Sequence, residues 1–134
     1  MENLVVQGSN KTPHFSLLRN GDFSFGGVSM PEDAAAFYFK IMDWISDYYR
    51  DPSQKTIINV SFKYLNSSSS SMIFKIFHCL NRLQASGKTH VKCNWYYESS
   101  DDGMRDFIEK VKNHAEQIEF AVYPTDNVMD AKAS

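Results

Sequence analysis

"KTIINVSFKYLNSSSSSMIFKIFHCLNRL", Lys55–Leu83, joins two different apolar patterns through five consecutive serines. Before the serines, β-branched and aromatic residues with partial alternation read as a buried strand. After them, Met72, Ile73, Ile76, Phe77, Leu80 and Leu83 recur at helical spacing and define one apolar stripe. Serine runs commonly mark flexible linkers, yet this one has no Gly or Pro and sits directly on an element boundary. Ser and Asn are strong helix caps because their oxygens accept from orphan N–H groups of the first turn. One of Asn66, Ser67 or Ser68 therefore caps the helix. A cap uses one residue, and serine is a mediocre helix former, so capping alone leaves the remaining serines unexplained.

Outward from this junction the same alternation continues. "ASGK" supplies a glycine stop near Ala85, and "HVKCNWYY" is a further strand. "SSDDG" leads into a third helix with Met104, Phe107, Ile108, Val111 and Ala115 on one face, and "IEFAVYP" closes the chain as a strand. Upstream, Phe37, Ile41, Trp44, Ile45 and Tyr48 mark a first helix. Ser29 and Glu32 have capping-box spacing for its start, with Pro31 in its first turn. Asn20-Gly21 lies between two short strand-like runs, Phe15–Leu18 and Phe23–Phe25, and predicts a hairpin through positive φ at both turn residues. "ENLVVQG" predicts a short opening strand.

The fold class is α/β: a single domain over residues 1–124, with a mixed sheet of about six strands packed with three helices. The start of the sheet is antiparallel and its second half parallel, because strands alternating with helices need crossover connections. Residues 125–134 are expected to form a flexible tail. In such a sheet the loops leaving the C-terminal strand ends share one edge. The serine run after Leu65 and "ESSDDG" after Tyr97 are both expected there.

The chain has 134 residues, 43% hydrophobic composition and a formal net charge of −2. Charges are mixed along it, so no basic stripe favours nucleic acid or an anionic membrane. No apolar run approaches the roughly 20 residues that span a bilayer, and "MENLVVQGSN" lacks the pattern of a signal peptide. Cys79 and Cys93 have no metal-type spacing. These features predict a cytoplasmic protein with reduced thiols.

Among the polar residues, the serine junction carries the sharpest chemistry. Helix N-termini stabilise anions, and a phosphoserine adds about −1.5 to −2 charges. A serine there is a switch that its own helix tolerates and a docked partner does not. Glu98, Asp101 and Asp102 form an acidic group on the same edge, suited to capping or to Mg²⁺. His14, His78, His90 and His114 show no metal spacing, and no nucleophile–base arrangement or phosphate-cradling motif is present. The chain therefore reads as a non-catalytic binding module without a cofactor or metal. Trp95 and Tyr97 share a core face, and Tyr96 points the other way. Tyr64, Leu65 and Asn66 border the junction and rank first as partner contacts, with Ser68 and Ser69.

"SMPEDAAAFYFKIMDWI", "YLNSSSS" and "WYYESSDDGM" occur in the order and at about the spacing found in the SiaC-like regulatory phosphoproteins of bacteria, which the chain resembles from about Thr12 to Tyr123. The resemblance implies a single domain like the anti-sigma-factor antagonists (STAS-like) and a partner-switching cycle. A serine/threonine kinase modifies the hydroxyl residue after "Y-L-N", a PP2C-type phosphatase reverses it, and the unmodified form binds and activates a diguanylate cyclase in c-di-GMP signalling and biofilm control. The matching residue is Ser67, with Ser68 as runner-up. The family usually has Thr there, and four more serines follow in this chain. The alternatives are an anti-sigma-factor antagonist acting on transcription and a small metal-dependent enzyme using the acidic rim.

Overall fold

The computed structural model describes residues 2–128. Its nine elements are β1 (Leu4–Val6), β2 (His14–Leu17), β3 (Asp22–Ser29), α1 (Ala34–Tyr48), β4 (Lys55–Leu65), α2 (Ser67–Ala85), β5 (His90–Glu98), α3 (Asp102–His114) and β6 (Glu119–Thr125). The six strands form one sheet in sequence order. β1 to β3 pair antiparallel, and β3 to β6 pair parallel. This is the expected mixed sheet with three helices.

Each crossover steps to the next strand in the same direction, so right-handed connections place all three helices on one face. Burial agrees. In β5, Val91, Cys93, Trp95 and Tyr97 are buried, while Lys92, Asn94, Tyr96 and Glu98 alternate with them on a helix-free face. Tyr96 stacks there on Tyr123 at 5.0 Å. The core is an aromatic row running across the sheet. Phe77 from α2 stacks on Trp95 at 5.2 Å and meets Phe25 and Phe120 at 6.2 and 5.9 Å.

Three local readings are corrected. Of the two turn residues Asn20 and Gly21, only Gly21, at φ 96°, has positive φ. The turn is closed by the Gly21 N–H donating to the Leu18 carbonyl, and the Asn20 side chain instead accepts from the Asp22 N–H. The expected Ser29/Glu32 capping box does not form. Helix α1 starts later, capped by Asp33, whose carboxylate accepts from the Ala36 N–H at 3.1 Å. Ser29 is instead the buried last residue of β3, held there by side-chain partners that its neighbours in sequence do not reveal. Finally, β6 runs through Thr125 and Val128 is fully buried, so ordered structure passes the expected boundary at 124. The remainder of the expected tail, 129–134, lies outside the described residues.

A candidate switch at the rim of the sheet

The C-terminal ends of β3, β4 and β5 each lead into a helix, so the N-termini of α1, α2 and α3 gather on one edge. All three carry an Asx cap: Asp33, Asn66 and Asp101. Between α2 and α3 the edge opens into a cleft of about 290 Å³ lined by Tyr64, Leu65, Ser70, Asp101, Met104 and Phe107. The serine junction and the acidic loop are thus neighbours, as strand order implies.

The five serines have separate fates. Asn66 is the cap; its side-chain oxygen accepts from the Ser69 N–H at 2.9 Å and from the Ser68 hydroxyl at 3.2 Å. Its backbone is tied to β3 through its N–H and the Ser29 carbonyl, 3.0 Å apart. Gly27, at φ 94°, permits the bulge between Gly27 and Val28 that keeps the ends of β3 and β4 in step here. Ser67 is the first helical residue, exposed, and its hydroxyl has no hydrogen-bond partner among the described residues. Ser68 and Ser71 are also exposed, and Ser70 is half-buried against the cleft. Ser71 donates back to the Ser67 carbonyl at 3.3 Å.

Ser69 is different. It has no exposed surface, and so cannot be the rim contact that its position in the run suggests. Facing inward a turn below the rim, it accepts from the Ser29 hydroxyl at 2.8 Å, and Ser29 in turn lies 2.7 Å from the Tyr38 hydroxyl. This buried cluster ties β3, α1 and α2 together under the rim. Burial pushes the Tyr38 phenol up to about 12, against the opposing effect of its hydrogen bonds to Ser29 and Ser69. Ser29 and Tyr38 are the residues that sequence reasoning missed. The signal for Tyr38 was present: Ala34, Tyr38, Ile41, Ile45 and Tyr48 have helical spacing and form the true buried stripe of α1, with Phe37 only packed beside it.

Electrostatically, the rim is prepared for an anion at α2 more than at α3. The first turn of α2 holds no acidic side chain, so the positive end of its dipole is uncompensated. Helix α3 has Asp102 in that place. The acids expected as a possible metal site are each engaged locally. Glu98 pairs with Lys63 at 2.9 Å, Asp101 accepts from the Met104 N–H at 3.0 Å, and Asp102 lies 3.4 Å from Arg105. Among the described residues no group of three His, Cys, Asp or Glu side chains could hold a metal ion. Tyr64, half exposed, and Leu65 flank the exposed Ser67 and Ser68.

The fold is a one-faced mixed sheet of six strands with three helices, and it exposes the Ser67 hydroxyl where a central strand turns into a helix. The chain belongs to the SiaC family of regulatory phosphoproteins, whose family model matches residues 6–125. An uncharacterized protein of Pseudomonas aeruginosa (strain UCBPP-PA14) is 23% identical over 117 residues, covering 84% of this chain and 89% of that protein. Among solved structures, apo-SiaC of Pseudomonas aeruginosa matches with a TM-score of 0.74 at 22% identity, covering 92% of this chain and 99% of that one. A structure of diguanylate cyclase SiaD in complex with its activator SiaC, also from Pseudomonas aeruginosa, matches with a TM-score of 0.79 at 22% identity, covering 91% and 99%. These likenesses establish the fold.

Proposed function

We propose that this chain is a non-catalytic activator of a diguanylate cyclase whose binding is switched by phosphorylation of Ser67. The observation that carries the reading is the Ser67 hydroxyl: exposed, without a side-chain partner among the described residues, and at the start of a helix whose first turn lacks acid. A phosphate there meets N–H groups of Ser67 and Ser68 that have no intrahelical acceptor and a favourable dipole. The fold therefore accepts the charge. A partner seated on the same rim does not, because burying an uncompensated charge costs several kcal/mol, equivalent to about a thousandfold in affinity. A serine/threonine kinase and a PP2C-type phosphatase supply and remove the mark. Related activators offer the precedent for the output partner, since SiaC is the activator of SiaD. No helix among the described residues is long and apolar enough to cross a membrane, which accords with action in the cytoplasm.

The test is mass spectrometry of the protein after incubation with its cognate kinase, together with cyclase binding by the Ser67→Asp and Ser67→Ala variants. Phosphate on Ser67, loss of binding by Ser67→Asp and retained binding by Ser67→Ala are expected. Phosphate confined to Ser68 moves the switch by one residue. Absence of modification from Ser67 to Ser71 sinks it.

A further inference from the structure

Chemically identical neighbours need a physical reason for one of them to be marked. Only the first turn of α2 carries N–H groups without a helical acceptor. The Ser70 N–H already donates to the Asn66 carbonyl at 2.9 Å, so from Ser70 onward the helix offers a phosphate no free N–H of the same residue. Ser70 also lines the cleft that holds Asp101, whose charge repels a second anion. Ser69 is buried. The choice lies between Ser67 and Ser68, both exposed and adjacent in one turn. They differ in one bond. The Ser68 hydroxyl donates to Asn66 Oδ1 at 3.2 Å, and the Ser67 hydroxyl has no partner among the described residues. Chemistry fixes the donor. The Ser69 N–H can only donate, and it meets the same Oδ1 at 2.9 Å, so that atom is the amide oxygen and accepts from both.

We infer that Asn66 is a positioning residue that directs phosphoryl transfer to Ser67 by holding the Ser68 hydroxyl. The inference rests on the proposal above that this turn carries the covalent mark. In the transfer, the serine Oγ–H bond breaks and its proton passes to a base of the kinase. An Oγ–P bond forms to the γ-phosphoryl group of a nucleoside triphosphate, and the bond to the departing nucleoside diphosphate breaks. At Ser68 the proton that must leave is committed to Asn66, and the side chain is turned back toward the cap. The product is disfavoured as well. A phosphorylated Ser68 keeps no proton on Oγ, and its phosphate oxygens would lie as acceptors against the Asn66 oxygen, itself an acceptor. At Ser67 no such bond has to be broken. Asn66 is fixed in turn, because its N–H donates to the Ser29 carbonyl at 3.0 Å and its backbone is extended, at φ −74° and ψ 174°. The residue that caps the helix thereby also selects the serine that is marked.

The experiment incubates the full chain with its cognate kinase and ATP. Fragmentation mass spectrometry then gives the ratio of Ser68 to Ser67 phosphate in the unsubstituted protein, in Asn66→Gly and in Asn66→Asp. Gly retains most of the stability of a cap but offers no side-chain acceptor, whereas Asp keeps the acceptor. Asn66→Gly should raise the ratio roughly fivefold, the factor that a neutral hydrogen bond of ordinary strength confers, and Asn66→Asp should leave it within about twofold. In a Ser67→Ala background, Asn66→Gly should speed labelling of Ser68 by a similar factor. The ratio is internal to each sample, so a general loss of stability does not move it. An unchanged ratio in Asn66→Gly, an equal rise in Asn66→Asp, or predominant phosphate on Ser68 in the unsubstituted protein overturns selection by Asn66 and leaves a switch in this turn standing. A slower reaction at an unchanged ratio makes Asn66 a kinase contact and overturns it likewise. No phosphate from Ser67 to Ser71 in any of the proteins overturns both this inference and the phosphorylation reading.

Discussion

Ser67→Asp and Ser69→Asp place the same new carboxylate two residues apart in one serine run, and the structure predicts opposite consequences. At Ser67 the side chain is exposed at the first position of α2. An anion there gains about 0.3–1 kcal/mol from the helix dipole. At Ser69 the side chain has no exposed surface and the hydroxyl accepts from Ser29 beside Tyr38. The Ser29 and Tyr38 hydroxyls could donate to an aspartate, but the hydrogen-bond partners of the cluster among the described residues include no cation, and the effective penalty for burying an ion is several kcal/mol. Taking about 4 kcal/mol and a urea slope of about 2 kcal/mol/M for a domain of this size, Ser69→Asp should lower the unfolding midpoint by about 2 M. Ser67→Asp should leave it unchanged or raise it slightly. Ser69→Ala separates charge from hydrogen bonding: Ser29 and Tyr38 still pair with each other, so its cost should be about 1 kcal/mol. The assay is urea unfolding followed by the fluorescence of the buried Trp95. Midpoints for the two aspartate variants within about 0.5 M of each other, by the same slope, would refute the assignment of Ser69 to the interior.

Phe77→Ala should cost about 3–5 kcal/mol, since the ring is buried and stacks on Trp95; a calorimetric melt measures it. Asn66→Ala should cost about 1 kcal/mol as a lost cap, whereas Ser67→Ala should stay within about 0.5 kcal/mol; denaturant midpoints in the reverse order would move the cap. Tyr38 gives a pH signature. Its folded pKa, about 12 through burial, exceeds the usual 10, so its contribution is complete below pH 10 and is lost as pH rises toward 12. The loss approaches about 3 kcal/mol at 1.36 kcal/mol per unit, and Tyr38→Phe should flatten that part of the stability–pH curve.

The alternation of period-2 and period-3.6 segments determined the α/β class, the mixed sheet and the shared edge, because each pattern is a property of local chain geometry and crossovers have one hand. The boundaries of β4 and α2 were legible for the same reason: a long buried strand, a capping Asn and a glycine stop lie close together in sequence. What failed was local motif reading where a distant partner decides. Ser29 and Glu32 have the spacing of a capping box, but the Ser29 hydroxyl is claimed by Tyr38 and by Ser69, forty residues away. The five serines are chemically identical in sequence, and no local rule says which faces inward. Helical rotation about the core stripe of α2 decides that, burying Ser69 with Ile73 and Ile76 and leaving Ser67 outside.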